Sequence, residues 1–167
     1  FSPLRPLEEA GLCHTYIAEE SGPKGELAEY EKRCMGFGNS RVDFSRSLCS
    51  PSRGLYVYVN LKGRDPEGIV EPEDYEKVQR QIIDALLTYV DPATGKRPVA
   101  MAVTRDDARL IGLYGDDVGD VVYAIYPEFG AQHGPILPTA HFGYGRLNSL
   151  LALMGKGIKK GSRLKKP

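Results

Sequence analysis

The pattern of apolar and polar positions predicts five strands and one long helix. Each strand segment is a short run in which β-branched and aromatic residues alternate or cluster beside a glycine, proline or charged residue. These segments are residues 13–18, 55–60, 99–104, 121–126 and 147–154. The long helix is predicted over residues 72–89, where one apolar stripe is formed by Tyr75, Val78, Ile82, Leu86 and Tyr89.

Two shorter helices and one crossover complete the predicted elements. The short helices are expected at residues 7–12, ending near Gly11, and at residues 26–34. The order strand, helix, strand over residues 55–104 is typical of a right-handed β-α-β unit, provided that the two strands are parallel neighbours. Residues 91–96, which contain Pro and Gly, are expected to form a turn before the strand at 99–104.

A long connection joins the last two predicted strands. It contains about twenty residues, more than most connections in compact domains, and loops of this length are usually functional or disordered. The connection is rich in glycine, proline and aromatic residues and holds His133 and His141. The residues alone leave each histidine open as a metal ligand, a substrate contact or a structural residue.

A turn with two cations follows the second predicted strand. Asn60, Lys62 and Arg64 occur there, and an amide, a lysine charge and an arginine fork are groups that receive phosphate oxygens. The spacing does not match the glycine-rich loop of P-loop nucleotide-binding proteins. Two interpretations stay open: a substrate-binding turn, or a tight structural turn in which Arg64 pairs with Asp65 or Glu67.

Composition and charge narrow the class of protein. A hydrophobic fraction of 41% is ordinary for a globular domain with a core. The 22 basic and 22 acidic residues give a formal net charge of 0, so the balance does not favour a nucleic-acid polymer as partner. No apolar run approaches the roughly 20 residues of a membrane helix, so no membrane contact is expected in this segment. A cytoplasmic location is expected.

The acidic residues and the cysteines offer weaker candidates for chemistry. The aspartates between positions 106 and 120 lack the spacing of a calcium loop, and Asp120 is expected to cap the start of the strand at 121–126. Cys13, Cys34 and Cys49 are odd in number and widely spaced. This arrangement favours reduced structural thiols over a metal or redox role.

Two segments resemble a known protein family. The first is LYVYVNLKGRDPEGIVEPEDYEKV, at residues 55–78, and the second is GDVVYAIYPEFGAQHG followed by GKGIKKG, within residues 119–161. In this order they are similar to the carboxyl-terminal part of the type I phosphodiesterase/nucleotide pyrophosphatase family, in the alkaline phosphatase superfamily. In that family the histidine of the late His-Gly pair, His133 here, binds one of two active-site metals.

The resemblance implies a fold and an activity. The implied fold is α/β, with a mixed or mainly parallel sheet and flanking helices, as a fragment of an alkaline-phosphatase-like fold. The implied activity is hydrolysis of a phosphodiester or nucleotide substrate with two divalent metal ions, zinc or manganese. His133 would be the metal ligand, within a metal-histidine loop and flanking strands at residues 119–161. The candidate substrate-binding residues are Asn60, Lys62, Arg64 and His141, and no catalytic residue is expected here.

The same resemblance implies that residues 1–167 are a single domain, the carboxyl-terminal portion of a longer phosphodiesterase. In the family the nucleophilic Thr or Ser and most metal ligands precede the segment that begins at Phe1. The missing amino-terminal half would then be a partner, and the chain alone is expected to be inactive. The alternatives are a phosphomutase of the same superfamily, or a non-catalytic module that binds a phosphorylated ligand or another subunit through residues 60–64.

Overall fold

The computed structural model describes residues 1–18, 40–52 and 54–130. In chain order the elements of this part are α1 (Leu4–Glu9), β1 (Thr15–Ile17), β2 (Ser40–Val42), β3 (Cys49–Pro51), β4 (Tyr56–Val59), α2 (Tyr75–Thr88), β5 (Val99–Thr104), α3 (Arg105–Ala108), β6 (Val121–Ile125) and α4 (Pro127–Gly130). Short 3₁₀ turns at Pro72–Asp74 and Arg109–Ile111 precede α2 and follow α3. The predicted strands that become β1, β4, β5 and β6 are confirmed, and so is the long helix. The strand predicted at 147–154 and the helix predicted at 26–34 lie outside the described residues.

The described strands form two antiparallel sheets. β3, β4, β6 and β5 make a four-stranded sheet in that order, and β1 pairs with β2 separately. Helices and strands both contribute to the fold, which is therefore α/β in the general sense. The expected mixed or mainly parallel sheet is not seen among these strands, because every pairing between them is antiparallel. The alkaline-phosphatase-like fold stays a prediction.

The position of β6 explains this difference. β4 and β5 point in the same direction, as a β-α-β crossover requires, but they are not neighbours. β6 lies between them and runs opposite to both, so it takes the hydrogen bonds that two parallel neighbours would have exchanged. The order strand, helix, strand in the sequence indicates a crossover. The strand that lies between β4 and β5 is β6, near the end of the described chain.

Helix α2 covers the sheet with the apolar stripe that its sequence predicts. Pro72, which lacks an amide hydrogen, stands at the start of the preceding 3₁₀ turn, where that hydrogen would have no helical partner. Ile82 and Leu86 are fully buried, and each contributes about 2 kcal/mol through burial of apolar surface. Charged residues occupy the other side, and none of the described helices is long and apolar enough to cross a membrane.

The buried core lies between α2 and the four-stranded sheet and continues under α1. The central strands contribute its valines, and Val57, Val59, Val121 and Val122 are fully buried. Leu7 of α1 is also fully buried, and α1 ends before Gly11, whose φ of 69° is the left-handed conformation that a glycine stop requires. The four-stranded sheet therefore forms the rigid base on which the turn after β4 is held.

Candidate functional site

Three of the five predicted site residues lie in the turn that follows β4. They are Asn60, Lys62 and Arg64. The backbone closes the turn, because the Lys62 N–H donates to the Val70 carbonyl at 2.9 Å and the Val70 N–H donates to the Asn60 carbonyl at 3.0 Å. His133 and His141 lie outside the described residues, so the roles predicted for them stay predictions.

Two glycines make this turn possible. Gly63 has a φ of 81°, a conformation that residues with a side chain rarely adopt. A Cβ atom on Gly68 would lie 2.2 Å from the carbonyl oxygen of Leu61, closer than any side chain could approach. The two segments of the turn therefore touch through their main chains, which is the close contact that glycine permits.

Asn60 fastens the turn from inside the protein. Its side chain is fully buried, and its Nδ2 atom donates to the carbonyls of Phe44, Ser47 and Glu67 at 2.8, 3.0 and 3.0 Å. These carbonyls belong to the segment before β3 and to the turn itself, so one amide joins two stretches of chain. The Oδ1 atom has no hydrogen-bond partner within the described part of the chain.

Arg64 turns back toward the sheet and binds Asp120. Its Nη1 and Nη2 atoms donate to the two carboxylate oxygens of Asp120, each at 2.8 Å, and Nη2 also donates to the Val59 carbonyl. Nη2 lies 2.9 Å from Asp65 as well, which confirms the predicted pairing of Arg64 with Asp65. Burial opposes the charge of Arg64, but hydrogen bonds to Asp120 and Asp65 outweigh it and raise the arginine pKa.

Lys62 is the exposed cation of the turn. About 60% of its side chain is accessible to solvent, and its Nζ atom pairs with Glu71 at 2.5 Å. The hydrogen bond to Glu71 is the main reason that the pKa of Lys62 is raised. The ion pair is so open to water that it contributes little to stability.

The charges around the turn do not favour an anion. Lys62 and Arg64 supply two positive charges, whereas Glu71, Asp65 and Asp120 place three carboxylates in direct contact with them. A phosphate group would have to displace one of these carboxylates or accept their repulsion. Substrate contact by Asn60, Lys62 and Arg64 stays a prediction, and the observed contacts favour the structural interpretation of the turn.

Asp120 is the buried side chain whose role the sequence analysis underestimated. Instead of only capping β6, it accepts four hydrogen bonds from three residues through its two carboxylate oxygens. Oδ1 accepts from Arg64 at 2.8 Å and from the Tyr75 hydroxyl at 2.7 Å, and Oδ2 accepts from Arg64 at 2.8 Å and from the Val59 N–H at 2.7 Å. The side chain is 1% exposed. Because every lone-pair region is used, the buried charge is well compensated.

The backbone of Asp120 extends the same junction to two further elements. Its carbonyl accepts from the Gln79 Nε2 atom of α2 at 2.7 Å and from the N–H of Arg105, at the start of α3, at 2.9 Å. One residue therefore contacts the end of β4, the turn after it, α2 and α3. The only sequence signal for this role is the Gly-Asp pair directly before the apolar run of β6, and it does not reveal the partners.

The carboxylate of Asp120 replaces a backbone hydrogen bond between β4 and β6. The ladder between these strands pairs Tyr56 with Val122 and Val57 with Val121, and then it stops. Gly119 lies outside this ladder and packs against Tyr56, so closely that an added Cβ would lie 2.5 Å from the tyrosine Cβ. The Val59 N–H, which would have bonded to the continuing strand, bonds to Asp120 instead. Side chains thus fill the opening where the two strands separate.

Tyr75→Phe is expected to reduce the loss of stability at high pH. Burial and the hydrogen bond to Asp120 raise the pKa of Tyr75 above its usual value of about 10. The stability from this group is therefore complete below about pH 10 and is lost as the pH rises further, because the unfolded chain releases the proton first. Urea unfolding from about pH 8 to pH 11 should show a shallower decline for Tyr75→Phe.

Tyr114→Phe provides the matched control, because the Tyr114 side chain is exposed. Its unfolding midpoint should follow that of the unmodified chain across the same pH range. Equal declines for Tyr75→Phe and Tyr114→Phe would contradict the role given to the hydrogen bond between Tyr75 and Asp120.

The described residues contain no group of three or more histidine, cysteine, aspartate or glutamate side chains placed to hold a metal ion. Asp65 and Asp120 are already bound to Arg64, so they are not available as metal ligands in this arrangement. A cleft of about 680 Å³ lies away from the turn, between α1, the end of α2 and α4. Its lining includes Arg5, Tyr89 and Phe129.

Comparison with known proteins adds no relative. The chain matches no protein-family model, and neither curated proteins nor solved structures give a significant match. The interpretation of function therefore depends on the residues, their contacts and the resemblance of the two sequence segments.

Proposed function

We propose that the chain is part of a metal-dependent hydrolase that cleaves phosphodiester or nucleotide pyrophosphate bonds. One observation supports this most directly: the two segments that resemble the phosphodiesterase family adjoin in space. β4 belongs to the first segment and β6 to the second, and these strands pair although about sixty residues separate them. Arg64 of the first segment binds Asp120 of the second. A resemblance carried by two segments gains weight when they form one structural unit.

In this proposal the chain supplies one metal ligand and part of the substrate pocket. His133 would contribute a neutral imidazole, which suits zinc. The described residues do not form a metal site by themselves, so the remaining ligands and the nucleophile would belong to the amino-terminal half of the parent protein. The chain alone is then inactive, because a site without its nucleophile and most ligands generates no reactive group.

The observed contacts weaken only the second of the two alternatives. A phosphomutase of the same superfamily would share the metal ligand but return the phosphate to the substrate. A non-catalytic module that binds phosphorylated ligands through residues 60–64 would need free cations there, whereas Lys62 and Arg64 are paired with carboxylates. These contacts favour the hydrolase over the binding module, and the fate of the phosphate distinguishes it from the phosphomutase.

The proposal is tested by hydrolysis of bis-p-nitrophenyl phosphate with added Zn²⁺ or Mn²⁺. The chain alone and the longer protein that would contain it are assayed side by side. We expect activity only in the longer protein, with a loss of about 100-fold or more in kcat/KM on His133→Ala. Phosphate released into solution, rather than retained on the substrate, separates hydrolase from phosphomutase.

His14→Ala is the control substitution. The hydrogen bonds between His14 and Ser47 come from the main chain of His14, so they survive the change of side chain, and the residue lies directly before β1. It should leave hydrolysis within about twofold of the unmodified protein. Absence of activity in both proteins would refute the hydrolase. Strong metal-dependent activity in the chain alone would show that the catalytic groups lie in residues 1–167.

A further inference from the structure

Cys13 and Cys49 are buried thiols that lie on adjoining segments of main chain. Cys13 follows α1 and Cys49 begins β3, and their exposed fractions are 1% and 0%. Both are present as thiols in the structure. Neither belongs to the junction around Asp120 or to the proposed metal site, so the function proposed above does not use them.

Hydrogen bonds join the two segments. The carbonyl of Leu12, directly before Cys13, accepts from the N–H of Leu48 at 2.9 Å and from the N–H of Cys49 at 3.2 Å. The Cys49 Sγ atom lies 3.7 Å from the same oxygen. On the other side of Cys13, the His14 N–H donates to the Ser47 hydroxyl at 2.9 Å. Cys13 is therefore enclosed by contacts to the segment that carries Cys49.

This spacing suits a disulfide. The Leu12 carbonyl carbon is bonded to the nitrogen of Cys13 and its oxygen lies 3.2 Å from the Cys49 N, so the two cysteine α-carbons lie within about 7 Å of each other. Disulfides bridge α-carbons separated by about 4.4 to 6.8 Å. Burial is the main cause that raises the pKa of the Cys49 thiol, and the nearby Cys13 raises it further. Two sulfurs on hydrogen-bonded segments thus share one buried environment.

We propose that Cys13 and Cys49 form a dithiol that closes to an intramolecular disulfide when the chain meets a small disulfide such as oxidised glutathione. This differs from the inert thiols that the cysteine spacing favours. Local opening of the segment after α1 first exposes Cys13, which is buried in the closed fold. The Cys13 thiolate then attacks one sulfur of the small disulfide, forms a mixed disulfide and releases one small thiolate. The Cys49 thiolate then attacks the Cys13 sulfur, and the second small thiolate leaves.

The reaction is balanced by the small disulfide. The two protein thiols lose two electrons and two protons, and the small disulfide takes them up as two thiols. The new bond closes the loop from residue 13 to residue 49 and ties the segment of α1 and β1 to β3. By restricting the unfolded chain, a loop of this length is expected to raise Tm by roughly 10 °C. Oxidation would therefore convert this part of the fold into a cross-linked form.

The test is oxidation of the folded chain with defined mixtures of reduced and oxidised glutathione at about pH 8, where more thiolate is present. Remaining thiols are blocked, and the digested protein is mapped by mass spectrometry without reduction. We expect a peptide pair linked through Cys13 and Cys49, together with the rise in Tm and its reversal by dithiothreitol. The Cys34→Ser variant should give the same product, since only Cys13 and Cys49 remain in it.

Three results would overturn the proposal. One is persistence of both thiols, or only glutathione adducts, at the most oxidising mixture. Another is a disulfide that uses Cys34 in the unmodified chain, or a Cys13–Cys49 bond that forms only in urea and not in the folded protein. The third is a fall in Tm on oxidation, which would mean that the bond distorts the hydrogen-bonded segments. None of these outcomes depends on the proposed hydrolase activity.

Discussion

Asn60→Asp is expected to destabilise the folded chain by about 4 kcal/mol at neutral pH. The Asn60 side chain is fully buried, and its Nδ2 atom donates to the carbonyls of Phe44, Ser47 and Glu67. Aspartate would replace this donor with an oxygen that faces three carbonyl oxygens. It would also bury a charge at a site that is built around a neutral amide, and the free energy of unfolding would fall accordingly.

The pH dependence of this loss provides a sharper test. Burial raises the pKa of a carboxyl group, so the aspartate introduced at position 60 would be neutral in the folded state at low pH. The part of the penalty that comes from the buried charge is therefore small near the unfolded pKa of about 3.9 and grows as the pH rises toward 7, whereas the part from the lost hydrogen bonds remains. Urea unfolding at about pH 4.5 and pH 7 should show a smaller difference from the unmodified chain at the lower pH.

Gln81→Glu is the matched control for Asn60→Asp, because it makes the same amide-to-carboxylate change on the exposed side of α2. It should change the free energy of unfolding by less than about 1 kcal/mol at either pH. A loss that small for Asn60→Asp at pH 7 would show that the three hydrogen bonds of Asn60 do not hold the turn.

Asp120→Asn is expected to cost about 3 kcal/mol, the lower end of the range for breaking a buried ion pair. The lower end applies because 36% of the Arg64 side chain is exposed and can regain water. An amide also fails to match the donors around it. If its nitrogen replaces Oδ2, it faces the Val59 N–H and Arg64; if it replaces Oδ1, only the Tyr75 hydroxyl can rotate to accept.

Asp116→Asn is the control for this substitution, since Asp116 is an exposed aspartate close by in the sequence. It should leave the urea unfolding midpoint nearly unchanged, whereas Asp120→Asn lowers it clearly. A double variant with Arg64→Met should cost less than the sum of the two single substitutions, because either one already breaks the pair. Additive losses would contradict direct coupling between Arg64 and Asp120.

These contacts change the interpretation of the turn after β4 from a substrate-binding turn to a structural one. Two cations and an amide at the end of a strand are chemically suited to a phosphate, and on that basis they were predicted to bind substrate. In the structure Asn60 and Arg64 are directed inward and hold the main chain, and Lys62 pairs with Glu71. The same residue types that recognise a phosphate also satisfy buried carbonyls and carboxylates, and the sequence does not distinguish the two uses.

Local elements were the most predictable part of the protein. β5 was predicted with the bounds that the structure has, and β4 and β6 were each predicted to within about one residue at either end. The stripe of α2 identified Val78, Ile82 and Leu86 as core residues, and all three are buried. These features depend on the periodicity of apolar residues along a short stretch, which the sequence displays directly.

The order of the strands was less accessible. A strand, a helix and a strand indicate a crossover, but they do not indicate whether another strand enters the space between the two. Here β6 does so, and its antiparallel direction changes the pairing from the expected parallel one. Strand partners far apart in sequence are chosen by the packing of whole faces, a property that no single segment carries.

The sequence by itself determined where α2, β4, β5 and β6 form and which of their faces are apolar, whereas the short strands β2 and β3 were not predicted. Only the tertiary structure decided that Asp120 joins β4, the turn, α2 and α3, and that Arg64 serves this carboxylate. The physical reason is the range of the interactions. Periodicity and turn chemistry act between neighbours along the chain, whereas a buried charge is stabilised by donors that lie up to 61 residues away and meet it only after folding.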